Sequence, residues 1–578
     1  MYPATIFNWH DNSQIGTNLT NSTIDDAPLL MQVFSADKGT EDLIEISGAA
    51  NFAAMYGTMN FDKHGQSAIQ AQRIIDAGGR LLAKRVVAED STLANVVLCA
   101  EVTASESGGA ATVKWTAQSI SSCASFTEVL DAANELLDDE AGIYPLIVIA
   151  DNGRGVSGKA VRFTPDYSTS KTIGKTFYKL NVYEGTTISE STDVSFDPTV
   201  VYSNNSFRFD EYTTTQITGK VVEDVYELYV AALASALSVD VDTLRNYDII
   251  FGYTNKGAVI DGFTLDLEGV DLDSETGISL ASGTNGSFGD APVGTSVWEN
   301  AIADVFNGNF VDEVYDVDQH KIAAVVDANY PMSVKNAIYD FVAFRQDCVF
   351  FRDYGTDNKT FLEIKAIHDS FGDRRNFFTM DYGTSYQIKD PVSMKNIEVT
   401  MTYDLAYVLV NHIADNAFAP IAGTSNGFIL PSAIKGTINF TPINTPSVNQ
   451  KEAMDNIRVN YAIFEDDNCV VQSCYSSQDA YTQLSYGNNV IGIQAVLRAV
   501  RTACPRQRYT LASGSDLTSY ATAVNTVLSE YTSNFSVLRF TYTQDTLRAS
   551  QKIFYASIEF AFLNWAQTEI FDIYAINE

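Results

Sequence analysis

The sequence is poor in cysteine, histidine and positive charge, and it holds no long hydrophobic run. Its 578 residues include six cysteines, Cys99, Cys123, Cys348, Cys469, Cys474 and Cys504, with no CxxC pair among them. Thiols this sparse imply no disulfide framework, Cys469 and Cys474 lack zinc spacing, and reduced cysteines are the expectation. The five histidines, His10, His64, His320, His368 and His412, form no HxxxH or HxH pair, so core or helix-surface roles are expected rather than metal ligation. No apolar run is long enough to cross a bilayer, and Met1-Tyr2-Pro3 opens no basic, apolar signal sequence, so a cytosolic setting is expected. Only 37 basic residues stand against 72 acidic ones, a net charge of −35. Such a surface repels phosphate backbones and argues against nucleic-acid binding. It also keeps a protein soluble at high concentration before assembly, at some cost in self-repulsion.

What the chain does have is apolar content. It is 46% hydrophobic and 12% aromatic, and its length exceeds one hydrophobic core, so roughly three or four domains are expected. The stretch Pro28 to Val87 organises the rest. Leu29 to Phe34 is an apolar run of strand length. Ser47 is placed to cap a short helix, Gly48 to Tyr56, that stops at Gly57. A second helix, Ser67 to Ala77, brings Ala68, Ala71, Ile74 and Ile75 to one face and ends at Gly78-Gly79. Leu81 to Val87 reads as a second strand. This is half of an α/β layer that needs strands from elsewhere in the chain.

From Glu101 to Gln319 short Val/Thr/Tyr strands alternate with Gly, Asp and Ser turns, which predicts one or two inserted β-rich domains. Two helices are expected there: Thr127 to Leu137, and Glu223 to Leu237 with Val225, Leu228, Tyr229 and Ala232 on one face. The α/β pattern resumes at Lys321 to Asp327, followed by a helix, Ser333 to Arg345, and a strand, Cys348 to Arg352. Near the end, Asp516 to Tyr531 is a helix with Ser515 as its cap. Val537 to Thr543 and Lys552 to Trp565 alternate as strands, with Phe554, Ala556, Ile558, Phe560 and Phe562 inward. Glu569 to Ile576 is a last strand, and an edge strand with unpaired backbone groups invites pairing with another chain. The polar N-terminus, Tyr2 to Ala27, carries few aromatics and reads alone as a tail.

Motifs that look chemical fail on context. Asp151 to Ala160 (DNGRGVSGKA) follows a strand, Ile143 to Ala150, and satisfies G-x-G-x-x-G. Ala160 stands where a phosphate loop needs Ser or Thr, and "KAVRFTP" continues as β structure where a helix N-terminus must meet the phosphates. A turn is expected. Asp271 to Gly277 resembles a calcium loop, but its Gly comes one place late and Ser282 replaces the bidentate Glu, so a solvated turn is expected. No GxSxG elbow is present. No catalytic, cofactor-binding or metal-binding residue is assigned, and no enzymatic activity is expected.

The ordered set "SADKGTEDLIEISGAANFAAMYG", the helix Ser67 to Ala77 and "AGGRLLAKRVV" resembles the N-terminal core of contractile-tail sheath proteins, the family of myophage tails and tailocins. "SVKNAIYDFVAFRQDCVFFRDYG" resembles the same core after its insertion, where a helix ends in Arg-x-Asp before a buried strand. "DNAFAPIAGTSNG" resembles the family's Asp…Ala-Pro-Ala-Gly segment, with Ile421 inserted between Pro420 and Ala422. The family's Trp-Gly-Ala-Arg-Thr segment is not present.

The resemblance implies an α+β multidomain fold. Its α/β core is assembled from N- and C-terminal parts of the chain, around an inserted β-rich region, with extended terminal arms. Expected bounds are 1–27 for the N-terminal arm, 28–100 and 320–510 for the core, 101–319 for the insertion, 511–567 for the C-terminal helix and meander, and 568–578 for the last arm. The implied role is a tail sheath subunit, in hexameric discs stacked helically around a tail tube, that contracts without nucleotide hydrolysis. Implied partners are further copies of the chain, the tube protein, and baseplate and tail terminator proteins. No nucleic acid, membrane insertion or cofactor is implied, and the place is a virion tail assembled in a bacterial cytoplasm. Inter-subunit strand exchange is then expected at Ile6, Phe7 and Trp9 and at Ile570, Phe571, Ile573, Tyr574 and Ile576. Readings from other classes are another virion structural protein, such as a capsid or spike, and a soluble carbohydrate-active enzyme, which requires a well-formed pocket.

Overall fold

The computed structural model describes residues 28–166, 176–196, 207–208, 212–213, 216–244, 247–252, 260–270, 277–308, 313–317, 319–356, 360–429, 448–465, 468–503, 514–543 and 555–563. The chain mixes helices with several sheets in an α+β, multidomain arrangement. One sheet has seven strands: β1 (Leu29–Phe34), β2 (Ile44–Ser47), β3 (Arg80–Arg85), β4 (Ile322–Val326), β5 (Val349–Asp353), β6 (Thr379–Tyr382) and β7 (Val459–Asn460). Their order is β2-β3-β1-β4-β5-β6-β7, and only β2 runs antiparallel to its neighbour. Strands before and after a long intervening segment therefore complete one sheet, with Leu30 opposite Ala324 across the junction. Every residue of β1, β4, β5 and β6 is buried, as parallel strands covered on both faces must be.

The helix α1 (Ala49–Tyr56) does not use Ser47 as its cap. Ser47 sits in β2 opposite Arg80, and Gly48 takes the cap position at φ 88, a turn that a Cβ would resist. The helix α2 (Phe61–Asp76) starts six residues before the expected Ser67. Asn60 caps its first turn by accepting from the Lys63 N–H at 3.3 Å, and a kink at Gly65 (φ 69) joins that turn to the periodic part. Beyond the kink, Ala68, Ala71, Ile74 and Ile75 face the sheet and are buried.

The intervening segment builds two further sheets around a second apolar cluster. One contains Asn95–Ala104, Ala111–Gln118 and Ile143–Asp151; the other contains Lys159–Pro165, Tyr178–Glu184 and Thr187–Ser195. The helix Glu223–Leu237 packs here, but its buried face differs from the expected one. Tyr226, Val230 and Leu233 turn inward with Val225 and Tyr229, and Leu228 is 42% exposed. The Tyr229 hydroxyl donates to the Ile249 carbonyl at 2.5 Å, which lets its ring enter the core beside Tyr144.

At the C-terminal side, the helix Gly514–Tyr531 includes Ser515 rather than being capped by it. It packs on Gly487–Ala503 and on a hairpin of Phe535–Thr543 with Tyr555–Phe562, closed by Val524, Leu528, Tyr531, Phe535 and Phe562. No described helix is long and apolar enough to cross a membrane.

Candidate functional site: the carboxyl ends of the parallel strands

Ligands of open α/β sheets bind outside the carboxyl ends of the strands. Here the chain fills that place with its own polar groups. Asp327 follows β4, Asp353 ends β5, and Lys335 reaches them from the helix Met332–Arg345. The Lys335 ammonium donates to Asp327 Oδ2 at 2.6 Å and to Asp353 Oδ1 at 2.7 Å, with all three side chains at 5% exposure or less. Asp327 also accepts from the backbone N–H of Ala328, Tyr330 and Asp353. Asp353 Oδ2 accepts from Asn329 N–H and from the hydroxyls of Thr400 and Thr402. Burial, together with the adjacent Asp353, pushes the Asp327 carboxyl up to about 7. Burial works against charge on Lys335, but the two carboxylates outweigh it and raise its pKa.

Glutamines extend this network across the sheet junction. Gln66 exchanges two hydrogen bonds with Thr400, donating to its hydroxyl at 2.7 Å and accepting from its N–H at 2.9 Å. Gln70 donates to Gln32 and to the Asp327 carbonyl, and Gln32 donates to the Tyr330 hydroxyl. The donors that a ligand would need are already engaged. Among the described residues, no group of three His, Cys, Asp or Glu side chains is placed to hold a metal ion.

At the ends of β1 and β3 lies a Ser-His-Asp constellation that sequence spacing hides. His64 Nδ1 is 3.2 Å from Ser35 Oγ, and Nε2 is 3.1 Å from Asp37 Oδ1. The Trp298 indole N–H donates to Ser35 Oγ at 3.2 Å. His64 thus bridges Ser35 and Asp37 through its two ring nitrogens. The arrangement is a triad in residue type only. Ser35 is 2% exposed, and the adjoining cavity, lined by Ser35, Asp37, His64, Arg85, Arg154 and Asn285, measures about 20 Å³. That is room for about one water, not for an acyl group beside the hydroxyl.

The hydrogen bond from His64, aided by its charge and by Lys63, holds the Asp37 carboxyl down at about 2, against 3.8 unperturbed. A depressed carboxylate adds stability above its unfolded pKa and loses it as pH falls through the folded one. Asp37→Asn is therefore expected to melt below the native chain at pH 5, with the difference vanishing as the pH is taken from about 4 to about 2. Thermal melts across that range check it.

The Gly-rich turn after Ile143–Asp151 leads into a strand, Lys159–Pro165, as expected, and no helix begins there. Lys159, the residue a phosphate loop would offer, is 3% exposed and already donates to Asp151 Oδ1 at 2.8 Å and to the Gln216 carbonyl at 2.9 Å. The glycines serve close approach instead. A Cβ on Gly153 would lie 1.8 Å from the Gly39 carbonyl oxygen. Beside it the buried Arg85 donates to the carbonyls of Ala36, Gly39 and Arg154, and Arg154 makes a two-pronged pair with Glu41. The turn is the knuckle on which the intervening segment rests against the parallel sheet.

The Arg-x-Asp of the sequence is a buried fork: Arg345 Nε and Nη2 each lie 2.9 Å from an oxygen of Asp347. Arg345 also donates to the carbonyls of Val314 and His320, tying the stretch before β4 to the helix before β5. Burial pushes the Cys469 thiol up to about 12 and the Cys474 thiol up to about 11, which makes both unreactive. His368 contacts Tyr354 and Arg375, His412 contacts the Ala419 carbonyl, and His320 pairs with Glu313. Sequence reasoning assigns no role to Lys335, Asp327 or Asp353; the available signal is a lysine inside an apolar helix pattern, with an aspartate closing each of two apolar strands.

The calcium-like stretch 271–276 and His10 lie outside the described residues, as do Ile6, Phe7, Trp9, Ile570, Phe571, Ile573, Tyr574 and Ile576. The described part of the C-terminal layer is the two-stranded hairpin, and no other described strand pairs with it.

No protein-family model matches the chain, and no curated protein matches it. Solved structures do. The sheath tail protein of Desulfitobacterium hafniense aligns with a TM-score of 0.44 at 9% identity, over 93% of this chain and 93% of that one. The contracted helical sheath of the anti-feeding prophage aligns with a TM-score of 0.38 at 12% identity, over 49% of this chain and 76% of that one. The contracted sheath complex of the extracellular contractile injection system PVC aligns with a TM-score of 0.36 at 12% identity, over 44% and 71%. These solved structures similar to the chain are sheath proteins of contractile tails and injection systems.

Proposed function

We propose that this chain is a structural sheath subunit that polymerises around a tail tube and contracts to drive the tube through a host cell envelope, without nucleotide hydrolysis. The observation that carries the reading is the split sheet. β1 and β3, from before the inserted region, complete a sheet with β4 and β5 from after it; β3 and β5 lie in the segments whose sequence resembles the sheath core, and β1 stands directly before the first of those segments. The closed carboxyl ends of those strands support it further, since the site where the fold would hold a substrate is filled by ion pairs and hydrogen bonds.

In this reading 28–100 and 320–510 form the core, 101–319 is the insertion, and 511–567 is the layer that receives strands. The arms 1–27 and 568–578 reach neighbouring copies through Ile6, Phe7 and Trp9 and through Ile570, Phe571, Ile573, Tyr574 and Ile576. Tube, baseplate and terminator proteins are the other partners, in a virion tail assembled in the host cytoplasm. Energy is stored at assembly and released as subunits turn and bury more surface, so no catalytic centre is required.

Electron microscopy of the purified chain tests the reading. Tubular particles are expected, and more of them at about 150 mM than at about 10 mM salt, because the screening length falls from about 30 Å to about 8 Å and the net charge of −35 repels less. A compact single molecule at every concentration and salt overturns it.

A further inference from the structure

The strands Ser385–Lys389 and Asn396–Thr400 form a separate two-stranded sheet joined by a turn, residues 390–395. Residues 391–396 are all exposed, including Val392 at 44% and Met394 at 62%. An exposed apolar pair on a loop tip is ordinary when the loop is loose. This one is built rigid. The buried Asp390 carboxylate accepts from the backbone N–H of Val392 and Ser393 and from the Ser393 hydroxyl, and its backbone bonds Lys395 and Met394.

Met394 is held at φ 58, a conformation that Gly or Asn adopts with less strain. Its side chain, being mostly exposed, returns little packing within the chain for that strain. Strained residues that persist at exposed positions point to a role outside the fold. The root is equally fixed. Thr400 bonds Asp353 and Gln66, and Tyr386 donates to Asp404, which pairs with Arg73.

Charge indicates what the tip meets. Its only carboxylate is the buried Asp390, and it presents Lys389 and Lys395, the latter in an exposed pair with Asp62 at 2.9 Å. The chain as a whole carries 72 acidic residues against 37 basic. We propose that the tip Pro391–Lys395 is a docking knob for a second copy of this chain, seating Val392 and Met394 in an apolar recess rimmed by carboxylates. The knob deepens the sheath-subunit reading and rests on it for the supply of adjacent copies. Preorganisation in the free chain lowers the ordering penalty of that contact.

The test places the photo-crosslinker benzoylphenylalanine at Val392 in the full chain, with and without M394G, and irradiates at assembly concentrations. A covalent species of twice the chain mass is expected. Its yield should fall about tenfold in M394G, the loss typical of an interface anchor. M394G should melt no lower than the native chain, because Gly accepts the positive φ. A double-mass species absent, replaced by adducts to other proteins, or equally abundant in M394G overturns the knob. Micrographs of the same samples report on the sheath reading separately. Double-mass product without tubes upholds the knob and overturns the sheath, whereas tubes without it do the reverse.

Discussion

Replacing Lys335 with methionine is expected to destabilise the parallel-sheet body by about 3–5 kcal/mol at pH 7, the penalty for breaking a buried ion pair from one side. The variant leaves the fully buried Asp327 and Asp353 facing each other without the ammonium 2.6 and 2.7 Å away. Burial and mutual repulsion then raise both carboxyl pKa values above their unfolded ones. A raised pKa gives stability that is full below the unfolded value and lost as pH rises through the folded one. The deficit of Lys335→Met should therefore be larger at pH 8 than at pH 5, and urea unfolding at the two values measures it. The double variant Lys335→Met, Asp327→Asn, with one carboxylate fewer, should recover much of the loss. An equal deficit at both pH values would show that packing of the lysine stem, rather than its charge, matters.

Deleting Met1–Asn12 is expected to abolish tubular polymers while leaving the melting temperature of the single subunit unchanged. On the sheath reading this segment carries Ile6, Phe7 and Trp9 to a neighbour. Burying three such side chains is worth about 1.5–3 kcal/mol each before the cost of ordering the arm. Even half of that sum raises the concentration needed for assembly by roughly 100-fold. Electron microscopy beside sedimentation reads both halves of the prediction. Tubes that form at the native threshold without the segment would remove the N-terminal arm from the mechanism.

Apolar spacing marks elements correctly where local pattern decides structure. The strand Leu29–Phe34 and the helix Glu223–Leu237 occupy the residues their spacing marks. The helix Met332–Arg345 starts one residue before the expected Ser333, and the strand Val349–Asp353 is shifted by one residue from the expected Cys348–Arg352. Spacing fails where a distant partner decides. β2 has no local signature, because Ile44–Ser47 becomes a strand only by pairing with Arg80–Ala83. On Glu223–Leu237 the expected Val225 and Tyr229 are buried, but Leu228 is exposed and Tyr226, Val230 and Leu233 turn inward in its place.

The site is less legible still. His64 looks isolated in sequence because Ser35 and Asp37 stand 29 and 27 positions away. Gln32 meets Tyr330 across 298 positions, a pairing that no period of 2 or 3.6 records. The Gly-rich turn is legible as something other than a phosphate loop because the β-like residues after it, Lys159–Pro165, leave no helix N-terminus to meet a phosphate. The purpose of Gly153, a carbonyl from the other end of a long connection pressed against its Cα, is readable only in three dimensions.

That pressing of one main chain on another bears on how force would travel through the molecule. Side chains swivel and slip under load; two peptide planes in van der Waals contact, clamped by Arg85 and by the Arg154–Glu41 fork, have no such slack. A pull on the segment between β3 and β4 would reach the parallel sheet with little slack, as torque passes through a keyed shaft. If the subunit turns as proposed, that segment and the parallel sheet turn through one angle, and the give is to be sought toward the chain ends.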